Sequence, residues 1–139
     1  MPFIITWLIS LILFASIPIQ SIPDNVYPYY EEYVSIVQNE CPKIKVPRQL
    51  IIEFNDLKNE EVGLCYLYAF KRKIEFDNFY WQSTSDMMRK QLVFHELTHC
   101  ILETHHDDSY TNYMNSYVVY IPEEKLIEQV KQNAKAHCN

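Results

Sequence analysis

The chain has 139 residues, a formal net charge of −6, 48% hydrophobic residues, a single glycine and eleven tyrosines. That length suggests one domain, and the hydrophobic share is enough to bury a core. The acidic balance, with no basic cluster, argues against nucleic acid or an anionic membrane surface as a partner.

The N-terminus stands apart. Residues Ile4 to Ile17 are nearly all apolar, and no charged side chain precedes Asp24. Such a run has the length of a signal-peptide core and is short for a membrane span. Residues 1–21 are therefore read as a signal peptide or, if uncleaved, an N-terminal anchor. Residues 22–139 are read as a single exported domain, in contact with a membrane only through an uncleaved leader. Export gives the cysteines a meaning. Cys41, Cys65, Cys100 and Cys138 are an even set in the mature part, which suggests two disulfides with three possible connectivities. They lack a CxxC pair, so a four-cysteine zinc site is a poor reading.

In chain order, Ser21 to Pro28 reads as extended, since Pro23 and Pro28 oppose a helix. Tyr29 to Glu40 reads as a helix with Tyr33, Ile36 and Val37 on its apolar stripe, ended by Cys41-Pro42. Leu50 to Phe54, Leu64 to Phe70 (opened by Gly63) and Ile74 to Asp77 read as strands, with Lys71-Arg72-Lys73 a solvated turn. Ser83 to Ser85 offer caps for a helix from Asp86 to about Leu102. Met88, Leu92, His95, His99 and Leu102 share one stripe of it, so this helix should be central and mostly buried. A polar loop from Asp107 to Ser116 follows. Pro122 then opens a last helix, with Glu123 and Glu124 in its first turn and Lys131 and Lys135 near its end, matching the helix dipole. Element positions favour the pairs Cys65–Cys100 and Cys41–Cys138. The fold class is α+β.

The chemistry is concentrated in the run from His95 to His106, which holds four of the five histidines and begins with HExxH. Residues i and i+4 of a helix share a face, so His95 and His99 can offer ring nitrogens to one metal ion, zinc above all. Glu96 points off that face within reach of a metal-activated water, where it would act as general base. A catalytic zinc needs a third protein ligand and an open position. His105 and His106, just past the helix end, are the candidates.

The segment from His95 to Tyr117 resembles the metzincin zinc peptidases, which carry HExxHxxGxxH followed by a methionine turn; Tyr113-Met114-Asn115 looks like that turn. Phe94 to Cys100 and Met114 to Tyr117 also resemble small exported metallopeptidases of bacteria and phages. The resemblance implies a small zincin-like domain: a short sheet packed on a central active-site helix, and a C-terminal helix after the Met-turn. Two departures stand out. Where metzincins have glycine three residues after the second histidine, this chain has Leu102, which suggests a differently shaped exit, one residue later. Strict metzincin spacing then selects His105, whereas the smaller exported group selects His106, with Asp107 behind it; Asp107 or Asp108 could orient a ligand histidine. The second departure is Ser116 where some metzincins place a tyrosine. Tyr117 is next in sequence and is expected to pack in the core rather than serve an oxyanion.

These readings imply a monomeric zinc endopeptidase acting on peptide or protein substrates. A zinc amidase acting on cell-wall peptides and a non-catalytic zincin-fold binding protein are the alternatives. A zincin with Glu123 or Glu124 as third ligand is a further one, although both residues are assigned to the last helix.

Overall fold

A computed structural model describes residues 19–139. Most of the expected leader lies outside those residues. Its last part, Ile19–Ser21, forms a short strand, β1. Helix α1 (Tyr27–Glu40) starts slightly earlier than the sequence suggested, with Pro28 in its first turn, where a missing N–H costs nothing. It buries Tyr30, Tyr33 and Val37 along one stripe.

Strands β2 (Gln49–Asn55), β3 (Gly63–Leu67) and β4 (Arg72–Asp77) join β1 in one sheet of order β1-β2-β4-β3. β1, β2 and β4 are parallel; β3 is antiparallel to β4 and forms an edge. The period of two sorts the faces. Leu50 and Ile52 of β2 and Ile74 and Phe76 of β4 are buried, with Ile52 opposite Ile74. On the outer face Lys73 Nζ bridges Glu53 at 2.6 Å and Glu75 at 2.8 Å. Arg72 and Lys73 are thus paired strand residues, not part of a solvated turn. The turn comes earlier: the Tyr68 amide donates to the Lys71 carbonyl at 3.0 Å, and Phe70, read as strand, is 89% exposed. An apolar run without Gly or Pro carried no signal for that turn.

Helix α2 (Asn78–Ser83) was not foreseen. The Asp77 carboxylate caps it by accepting from the Tyr80 amide at 2.9 Å, and Trp81 is delivered against Phe54 and Phe76. Helix α3 (Asp86–Leu97) begins at Ser85, whose hydroxyl accepts from the Met88 amide. It contacts β3 on one side and α1 and α4 on the other, and is largely buried as the pattern required. Helix α4 (Glu123–Cys138) buries Leu126, Val130 and Ala134, spaced by four, and packs on α1. Both expected disulfides are present: Cys41–Cys138 joins the ends of α1 and α4, and Cys65–Cys100 joins β3 to the segment after α3. No helix among the described residues is long and apolar enough to cross a membrane.

Candidate metal centre

The end of α3 differs from a regular helix. Thr98–Leu102 form one π-helical turn, which closes on Glu103 with a left-handed φ of 53°. A π turn takes in one residue more than an α turn. The left-handed position therefore falls on Glu103 rather than Leu102, and the following histidines shift by one. Without glycine this conformation is disfavoured. Arg72 holds it: its guanidinium donates to the Cys100 carbonyl at 3.3 Å and pairs with the Glu103 carboxylate at 2.8 Å.

Two backbone carbonyls orient two rings. His95 Nδ1 lies 2.8 Å from the Tyr113 carbonyl, and His99 Nδ1 lies 2.6 Å from the Thr104 carbonyl. A carbonyl only accepts, so each Nδ1 carries the ring proton. Each Nε2 is left with a bare lone pair. These two Nε2 atoms face each other at 3.1 Å. Lone pairs so close without a proton between them repel unless a cation lies beside both. Two nitrogens held by one tetrahedral zinc stand about 3.3 Å apart. His106 completes the cluster: ligand atoms of His95, His99 and His106 all lie within 4.8 Å of one another. His105 lies outside that group, at the rim of the cleft. Burial holds the His95 pKa down to about 4 and lowers that of His99, so both rings are neutral, the form that binds metal.

The family model described as "Putative phage metallopeptidase" matches residues 45–126, more than half of the chain. The chain belongs to this family. No curated protein and no solved structure matches it. The match covers the whole run from β2 to the start of α4, and so the histidine cluster and the Tyr113–Asn115 segment.

Glu96 is 4% exposed, with Oε1 at 3.9 Å from His95 Nε2. Burial, reinforced by the Glu61 charge, raises its pKa to about 8. A cation at the histidines would oppose that shift and favour the carboxylate. Chemically, the arrangement offers three convergent imidazoles and one basic oxygen beside them.

The segment around Met114, expected as a Met-turn, braces the loop that carries His106. Met114 is buried, and its carbonyl accepts from the amide of Asp107, the residue after His106, at 2.9 Å. The Asp107 carboxylate accepts from Ser109 and Asn112, and that of Asp108 from Ser116. Their hydrogen bonds thus brace the loop rather than orient a histidine. Behind it lies a buried hydroxyl network. Thr98 Oγ1 donates to the Phe94 carbonyl at 2.7 Å and accepts from the phenols of Tyr33 at 2.9 Å and Tyr113 at 2.8 Å. Asn133 of α4 donates to the Tyr113 phenol at 2.8 Å. Burial raises both phenol pKa values, that of Tyr113 to about 12, so both stay donors. The sequence reading passed over this network, because a threonine and two tyrosines carry no spacing signal.

A cleft of about 530 Å³ opens over the histidines. Edge strand β3 forms one wall and Tyr117 and Val118 another, with Asn59 to Glu61 at the rim. Tyr117 is 78% exposed and lines this cleft; it is not a core residue. Gln91 of α3 fixes that second wall through the Val119 carbonyl and the Ile121 amide. Glu123 pairs with Lys90, as expected of a residue committed to the start of α4.

Proposed function

We propose that the protein is an exported zinc-dependent endopeptidase, with His95, His99 and His106 as metal ligands and Glu96 as general base. The supporting observation is the facing pair of unprotonated Nε2 atoms at 3.1 Å, with His106 beside them. When bound there, zinc would supply Lewis acidity, making a water acidic and polarising a carbonyl. Glu96 accepts the proton of the attacking water and returns it to the leaving amine. The Tyr113 and Thr104 carbonyls hold the imidazole tautomers throughout. The edge of β3 lies along the cleft and offers unpaired backbone groups to an extended peptide, which would add as a further strand. Two disulfides agree with an oxidising, extracytoplasmic compartment.

The test is hydrolysis of casein and of purified peptidoglycan by chelator-treated protein before and after zinc is restored. We expect zinc-dependent cleavage of casein. Cleavage confined to peptidoglycan would indicate the amidase, and zinc uptake without turnover a binding protein.

A further inference from the structure

We infer that Gly63 is a positioning residue for Glu96: by lacking a side chain, the chain's one glycine leaves room on the edge strand for the catalytic carboxylate. A Cβ built at Gly63 would stand 2.7 Å from Glu96 Oε1, 2.9 Å from Glu96 Cγ and 3.0 Å from Leu92 Cδ1. Real Cβ atoms do not approach that closely, so a side chain here forces a shift, and two of the three nearest atoms belong to Glu96. Backbone freedom is not the reason for the glycine. No glycine in the described chain has a positive φ, and Gly63 pairs with Phe76 as a regular strand residue.

Register makes the contact specific. Gly63 and Cys65 lie two apart on β3 and so share its inward face; Glu96 and Cys100 lie four apart along α3 and the π turn. Two strand residues span about 6.6 Å and four helical residues about 6 Å. The Cys65–Cys100 disulfide therefore sets Gly63 opposite Glu96. Glu96 is 4% exposed and borders the cleft, so a shift of its carboxylate moves it relative to the histidines. A displacement of about 1 Å at a reacting group can cost roughly 100-fold in rate.

This inference rests on the role given to Glu96 under the proposed function, and its test is built to fail separately. The full chain would be compared with Gly63→Ala, Glu96→Ala, Leu92→Ala and the double variants with Gly63→Ala. Zinc content, melting temperature with and without zinc, and peptide kinetics would be read for each. We expect Gly63→Ala to keep its zinc and its KM while kcat falls roughly 10–100-fold. It should also lower the melting temperature of the parent chain, with little effect when Glu96 is already alanine. If Gly63→Ala does not fold, its rescue by Glu96→Ala supports the inference, and failure of that rescue overturns it. An unchanged kcat per bound zinc overturns it as well. So does an equal loss of melting temperature in both backgrounds, or relief by Leu92→Ala in place of Glu96→Ala. If the parent chain shows no turnover, the endopeptidase reading falls and the melting-temperature cycle alone decides whether Gly63 positions Glu96.

Discussion

His95 and His99 present Nε2 to Nε2 across 3.1 Å, each with its proton held on the opposite ring nitrogen by a backbone carbonyl. Removing zinc should therefore destabilise the fold locally as well as silence it. We expect His106→Ala to lose zinc in a chelator competition and His105→Ala to retain it, because only His106 shares the cluster. The reverse result would make His105 the ligand.

Thr98 lies between the two ring-bearing positions and joins α1, α3 and the Tyr113 segment through three hydroxyl contacts, with α4 tied in by Asn133 on the Tyr113 phenol. Thr98→Val preserves shape but strands the Tyr33 and Tyr113 phenols. Unfolding in urea should show a loss of about 1–3 kcal/mol, the cost of leaving buried polar groups unsatisfied. Zinc affinity should also fall, roughly 10-fold or more, since the Tyr113 carbonyl orients His95. Unchanged affinity would separate the network from the metal site.

The chelator-treated protein should show a distinctive pH dependence. The folded pKa of Glu96 is raised from 4.5 to about 8, so between those values the native state keeps a proton that the unfolded chain has lost. Stability from this group is complete below about pH 4.5 and is lost as pH rises toward 8. Burial depresses the His95 pKa from 6.5 to about 4, so its contribution is present above pH 6.5 and is lost as pH falls through that window. Glu96→Gln removes only the first effect. Its stability advantage over the parent should grow with pH by at most about 1.4 kcal/mol per unit. Denaturant titrations at pH 5 and pH 8 would measure it, and an advantage independent of pH would show that Glu96 is not held neutral.

The Cys65–Cys100 bridge closes a separation of 35 residues. Replacing both cysteines by serine should cost about 3–4 kcal/mol by loop-closure entropy. It should also loosen the register of β3 against α3, so turnover per bound zinc should fall while zinc content persists. A stability loss with full turnover would confine the bridge to a structural role.

Much of this site was legible because its geometry follows from short spacings. His95 and His99 at i and i+4 needed only a helix, which the Ser85 cap and the apolar stripe supplied. The disulfide pairs followed from which elements carry each cysteine. The sheet core followed from the alternation in β2 and β4. What stayed hidden depends on tertiary context. Six-residue α2 is too short for a period to show, and three-residue β1 lies at the end of the segment 1–21 read as leader. The π turn has no sequence signature of its own; Leu102 in place of glycine marked only that the exit must differ, and Arg72 is what makes Glu103 a workable left-handed residue. Tyr117, an aromatic on paper suited to the core, lines the cleft because Gln91 holds the following segment against α3.

The most direct measurement is peptide turnover per bound zinc in Glu96→Gln. The substitution keeps size and hydrogen bonding and leaves all three histidines in place, but removes the base. We expect zinc content equal to the parent's and a turnover lower by roughly 10²–10⁴-fold. Full turnover in Glu96→Gln with zinc bound would contradict Glu96 as the general base.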